Sequence, residues 1–94
     1  GDVVRAHTLR RGAAEAIEAI AHGERGNSRV VGRRLDEIKL PPGASIGAIA
    51  RGEEVIIAHH DTVIESGDHV MIFIIDKRYT PAVEQLFQVG VSYV

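Results

Sequence analysis

A turn signal at Gly67-Asp68-His69 leads into six consecutive apolar residues, Val70-Met71-Ile72-Phe73-Ile74-Ile75, which Asp76-Lys77-Arg78 closes off. Six apolar residues are too few for a helix with water on one side, and β-branched and aromatic types dominate them. The run therefore reads as an interior strand over 70–75, covered on both faces. The rest of the chain has to supply that cover. Downstream, Thr80 is a suitable N-cap and Pro81 fits N1, where a missing N–H costs nothing. Val83, Leu86 and Phe87 then form the apolar stripe of a helix over 81–88, and Gly90 is its stop signal.

Size limits what can be built around such a strand. The chain has 94 residues, room for one domain (1–94), and a chain this short buries only about 60–65% of the surface that it exposes when unfolded. With 45% apolar residues and only short helices to cover a doubly apolar strand, surplus apolar surface is expected, and with it self-association as a two-fold homodimer. Its expected interface elements are the 44–50 strand and a short helix upstream of it. The sequence holds no cysteine, which excludes disulfides and thiolate metal sites. The formal net charge is −2 with the two signs interspersed, an argument against nucleic acid as a partner. No apolar run approaches a membrane span and no signal peptide is visible, so no direct membrane insertion is expected. The opening Gly1-Asp2-Val3, without methionine, suggests a piece excised from a longer chain.

Upstream of the strand the pattern is one of short elements. Residues 3–9 are a modest strand candidate followed by the Arg10-Arg11-Gly12 turn. The segment 13–21 has the alanine and glutamate content of a helix, yet as a strand it would place Glu15, Ile17, Ala19 and Ala21 on one face. Residues 22–29 form a polar, glycine-bearing loop. Val31, Leu35 and Ile38 then recur at i, i+4 and i+7 as the stripe of a short helix, with Leu35 and Ile38 buried. Leu40-Pro41-Pro42-Gly43 ends it. Residues 44–50 and 55–58, around Arg51-Gly52-Glu53-Glu54, read as a β-hairpin. Glu65-Ser66-Gly67-Asp68 is a second tight turn.

Chemistry is sparse. Five histidines (His7, His22, His59, His60 and His69) raise the question of a metal, and His59, Asp61 and His69 would share a sheet face across the 65–67 turn. Surface histidines at turns are the better reading, since there is no H-x-x-x-H spacing and neighbouring strand residues point to opposite faces. No metal site is expected. The 42–47 stretch, Pro-Gly-Ala-Ser-Ile-Gly, lacks the lysine and hydroxyl of a Walker loop, and there is no G-x-G-x-x-G. Gly43 is read as serving a turn and Gly47 a close strand contact or bulge. Arg10-Arg11 and Arg33-Arg34 are basic pairs, most simply solvated. Ser45, Thr62 and Ser66 have no base placed by a recognisable motif. The carboxylate pairs Asp36-Glu37 and Glu53-Glu54 fall on polar surfaces, with no cleft to shift them. No catalytic residue is assigned, no cofactor-binding residue can be named, and no enzyme activity is expected.

Three blocks in order carry a resemblance: Val31-Gly32-Arg33-Arg34-Leu35-Asp36-Glu37-Ile38, then Ile46 to Ile57 with its Arg51-Gly52-Glu53-Glu54 turn, then Asp61-Thr62-Val63-Ile64-Glu65-Ser66-Gly67-Asp68-His69-Val70. Together they resemble the RCK_C, or TrkA-C, family, the C-terminal domains of RCK regulators of potassium transport. The resemblance covers about residues 3–88, and its most specific part is the 61–70 turn at its distance after the Gly-Glu hairpin. It implies an α+β fold, a small mixed sheet with two helices, in which 13–21 is a strand paired with 3–9. It also implies a dimerising regulatory domain of a subunit that is cytoplasmic, peripheral to the inner membrane, and gates potassium flux through a membrane partner. NAD or ATP would bind an N-terminal Rossmann half that this sequence does not contain. In some relatives a cyclic dinucleotide or an ion binds between paired copies, but no such binding residue matches here. Many members carry a proline near Ala58-His59-His60, where this chain has none. The alternative function is a free-standing small-molecule sensor domain attached to another transporter, such as an antiporter or a carboxylate carrier.

Overall fold

The computed structural model describes residues 3–9 and 13–90. They form a five-stranded sheet in the order β1-β2-β5-β3-β4, with β1 Val3–Leu9, β2 Ala14–Ile20, β3 Ala44–Arg51, β4 Glu54–Ile57 and β5 His69–Ile74. Helix α1 follows at Thr80–Leu86, and short 3-10 turns occupy Leu35–Glu37 and Lys77–Tyr79. The class is α+β. Every strand pairing is antiparallel, where a mixed sheet was expected. Among the described residues there is one α-helix rather than two.

The apolar run does become the interior strand, and β5 lies between β2 and β3. Its cover, however, is one-sided. Val70, Ile72 and Ile74 are buried, whereas Phe73 is 50% exposed and Ile75 69% exposed. Among the described residues the expectation of cover on both faces fails, because the segments outside the sheet gather on one side of it. Loop 22–34, the 35–38 turn, Ile64 and α1 all pack on the same side. Val30, Val31, Ile38, Ile64, Val83 and Phe87 join Ile17, Ile49, Val70, Ile72 and Ile74 in one hydrophobic cluster.

The segment 13–21 is a strand despite its alanine and glutamate, in antiparallel register with β1 (Ala6 opposite Ile17) and with β5 (Ile17 opposite Ile72). Tertiary pairing overrides local propensity here, since a helix would leave the flank of β5 unpaired. The stripe at 31, 35 and 38 does not make an α-helix. Only Leu35–Glu37 is helical, as a 3-10 turn, because Arg34 bridges Val63 in strand fashion and the backbone N–H groups of Leu35 and Asp36 donate to Thr62 and His60. Ile38 is buried and Leu35 half-buried. Helix α1 buries Val83, and Phe87 at its C-cap is buried beside it with Leu86 at their margin. Its N-cap is Tyr79 rather than Thr80. The Thr80 hydroxyl instead donates to Glu15 on β2 at 2.6 Å, which ties the helix start to the sheet.

Candidate functional site

The 61–68 segment is held by two side chains that the sequence reading left unassigned, Arg51 at the end of β3 and Asp68 just before β5. The hairpin turns through Gly52 at φ 61°, the positive value that the first position of a two-residue hairpin loop requires. This sets Arg51 opposite Glu54 and directs its side chain back over the sheet end. Its Nε donates to Asp68 Oδ1 at 2.9 Å and its Nη2 to Asp68 Oδ2 at 2.9 Å. The same Nη2 donates to the Val63 carbonyl at 2.9 Å, and Nη1 lies 2.7 Å from Glu65 Oε2. Asp68 is 1% exposed and also accepts from the Glu65 N–H at 2.8 Å. A buried carboxylate is tolerable only with this density of donors. The Asp68 hydrogen bond is the main cause that raises the Arg51 pKa above its ordinary value, partly offset by desolvation, with the charges of Asp68, Glu65 and Glu54 adding to it. Arginine and carboxylate together lock the hairpin to the turn.

The turn itself is closed by Gly67 at φ 90°, which only glycine adopts at little cost. Gly67 N–H donates to the Ala21 carbonyl, and Ala21 N–H to that of Asp68. The edge of β2 therefore continues into the turn, and a rigid corner results where three segments meet.

At the other end of β3, away from Arg51, runs a groove of about 310 Å³ lined by Leu35, Asp36, Leu40, Ile46, His59 and His60 among others. It puts Asp36 and two of the histidines on one surface. The His59 N–H donates to Thr62 Oγ1 at 3.1 Å, so the Thr62 hydroxyl closes the 59–62 turn. His69 does not join His59 and Asp61: it sits on β5 with Nδ1 2.8 Å from Glu18 Oε2. Among the described residues no three histidine, aspartate or glutamate side chains stand close enough together to hold a metal ion. Arg34 pairs with Asp36 at 2.8 Å, and its N–H donates to Glu37. Arg10 and Arg11 lie outside the described residues. Ser45 and Ser66 are exposed, as are Glu53 and Glu54 at the hairpin tip.

Gly47 fills the role expected of a bulge. The register of β3 against β5 shifts between Ile46 and Ala48, and a Cβ at Gly47 would lie 2.7 Å from the Phe73 ring. The edge of the ring thus occupies the space that a side chain at 47 would need. The open side of the sheet carries Phe73 and Met71 from β5, Ala48 and Ala50 from β3, and Val55 and Ile57 from β4, the last two 66% exposed each. The signal for Asp68 was available: a charged residue abutting the most buried run of the chain must itself be buried or bend away. The open face left no comparable trace, since a run apolar at every position does not say which side stays bare.

Comparison with known proteins agrees with this arrangement. The TrkA-C domain family model matches residues 26–87, a span that contains the Arg51–Asp68 lock, the groove and the bulge. The Trk system potassium uptake protein TrkA of Halomonas elongata is 62% identical over 93 residues, 99% of this chain and 20% of that protein. The protein of the same name from Vibrio alginolyticus is 62% identical over 87 residues, 93% of this chain and 19% of its own length. A TrkA homologue of Methanosarcina mazei is 41% identical over 59 residues, 63% of this chain and 13% of that protein. The chain thus spans about one fifth of the length of the first two relatives. With its family match over most of its length, this chain belongs to the TrkA-C domain family.

Proposed function

We propose that this chain is the regulatory, dimerising domain of a cytoplasmic subunit that gates potassium transport through a membrane partner. The observation that carries the reading is the 62% identity to a Trk system potassium uptake protein across 99% of the chain. The architecture is compatible with such a role. A corner locked by Arg51 and Asp68 makes the domain move as one body, and a bare sheet face offers it a place to pair. A ligand moves a gate only through its differential affinity for two arrangements of the subunits, and a rigid paired domain can be held in either. The domain acts without catalysis of its own. NAD or ATP belongs to a separate Rossmann half of the intact subunit. Among the described residues no helix is long and apolar enough to cross a membrane, consistent with a peripheral position beside the transporter.

The test is to delete this domain from the intact subunit and measure potassium uptake in cells lacking other uptake systems. Uptake should lose its nucleotide dependence and the subunit should change its oligomeric state. If both are unchanged, the reading is wrong.

A further inference from the structure

We propose that the cleft between the 22–29 loop and the end of helix α1 binds a small solute through a carboxylate or phosphate group, with Arg29 as the residue that pairs with it. The cleft has a volume of about 290 Å³ and is lined by Asn27, Arg29, Gln85, Gln88, Val89 and Gly90. That volume sits at the small end of the range for ligand pockets, roughly 300–1,000 Å³. The cleft shares no lining residue with the groove beside His59 and His60, and the proposal does not depend on the gating role given above.

The lining sets the chemistry. One guanidinium and three carboxamides line a single space, and neither Glu24 nor Glu84, the carboxylates nearest to them in sequence, is among the lining residues. Arg34, Arg51 and Arg78 each pair with a carboxylate, whereas Arg29 has no acidic partner among the described residues. A guanidinium presents a planar fork of N–H donors that matches a carboxylate or phosphate in two contacts. The partial negative charge of a helix C-terminus resides on unsatisfied carbonyls. Here those of Glu84 and Gln85 already accept from the N–H groups of Phe87 and Gln88, so the end of α1 does little to repel an anion.

The walls are held in advance. Asn27 Oδ1 accepts the Glu24 N–H at 2.7 Å, and the N–H groups of Asn27 and Ser28 both donate to the Glu24 carbonyl. With its oxygen engaged in the turn, the Asn27 side chain has its NH2 left to donate. Gly23 makes room for that amide: at φ 89°, a Cβ there would lie 2.5 Å from Asn27 Oδ1 and 3.4 Å from Val89. The Asn27 carbonyl accepts from the Gly90 N–H at 2.8 Å, which ties the loop to the chain leaving α1. Gln85 and Gln88, three residues apart, stand on one side of the helix end and bring two further NH2 groups. An anion on Arg29 is therefore offered donors from both walls.

An NMR titration of the isotope-labelled 94-residue chain tests this, with inorganic phosphate and malonate as probes at neutral pH and constant ionic strength. At least one of the two should shift the Gly90 amide and the side-chain amides of Asn27, Gln85 and Gln88 saturably. Saturation by phosphate alone assigns a phosphate-bearing solute, by malonate alone a carboxylate-bearing one, and by both an oxyanion of either kind. Arg29→Gln should weaken binding about tenfold or more, as the loss of a charge-assisted hydrogen bond predicts. Arg33→Gln removes the same charge outside the cleft and should leave binding unchanged. Gln88→Glu keeps Arg29 but puts a carboxylate among the donors, and should weaken binding too. Arg29 and Gln88 are exposed, so the core resonances of both variants should stay in place. The proposal is overturned if neither probe saturates, or if the saturable shifts fall at the groove beside His59 and His60. It is equally overturned if Arg29→Gln binds as the parent chain does, or if Arg33→Gln weakens binding as much as Arg29→Gln.

Discussion

Asp68 carries its charge in a place where water cannot reach it, at 1% exposure, and the Arg51 fork is what makes that tolerable. Removing the arginine should therefore cost more than the pair contributes, because an unpaired carboxylate stays behind with one N–H donor from Glu65. Arg51→Met is expected to lose about 3–5 kcal/mol, and since each kcal/mol moves Tm by about 4–8 °C in a domain of this size, Tm should fall by at least about 12 °C. Asp68→Asn keeps the shape and an acceptor for Glu65, so its loss should be smaller. Thermal melts in which Asp68→Asn is the worse of the two would contradict this account. The raised Arg51 pKa fixes the pH behaviour. A raised folded value gives stability that is complete below the unfolded pKa and lost only as pH rises through the folded one. The gap between wild type and Arg51→Met should then stay level from about pH 6 to about pH 10. At this scale the sequence was legible in its turn residues, with Gly52 and Gly67 both at positive φ where turns were expected. It was silent on Arg51, whose partner is 17 positions away in a different turn, and no local pattern encodes such a pairing.

Elements followed their pattern where neighbours agreed with it and departed from it where they did not. The β5 strand, the β3–β4 hairpin and the final helix stand where periodicity and turn chemistry put them, and β2 stands where the family resemblance put it against its own propensity. The stripe at 31, 35 and 38 misled because a period of 3.6 over so few residues also fits a loop that buries its apolar side chains one by one. Val30 and Val31 are buried there in the hydrophobic cluster, on a turn whose backbone the Ser28 hydroxyl satisfies by accepting from both of their N–H groups, at 3.1 and 3.0 Å. The bulge in β3 is the element-scale feature most open to test. Gly47→Ala places a methyl group 2.7 Å from the Phe73 ring, so the ring must swing out or the strand must shift, at about 1–3 kcal/mol. With Phe73→Ala already in place the three nearest contacts of that methyl group are gone, and most of the cost should vanish. A double-mutant cycle by denaturant unfolding measures this, and equal costs in the two backgrounds would show that the glycine serves the backbone and not the ring.

At the scale of the whole fold, the decisive fact is a sheet that, among the described residues, has one face packed and one face open. The described residues pack against one side of the five-stranded sheet, and under the dimerising role proposed above a second copy would cover the other. The consequence is thermodynamic. If folding and pairing are coupled through that face, mass action adds about 1.4 kcal/mol of dimer for each tenfold rise in concentration, or about 0.7 kcal/mol per protomer. In a domain of this size that raises Tm by roughly 3–5 °C per decade of concentration. Calorimetry across two decades should show this rise in the wild-type chain. Ile57→Lys, which alters a side chain that is 66% exposed in the single copy, should leave the protomer's own packing alone and flatten the dependence. Its melting temperature should match that of the wild type only in dilute solution and fall behind as concentration rises. A wild-type Tm that does not move with concentration would mean that the bare face contributes nothing to stability by pairing with itself.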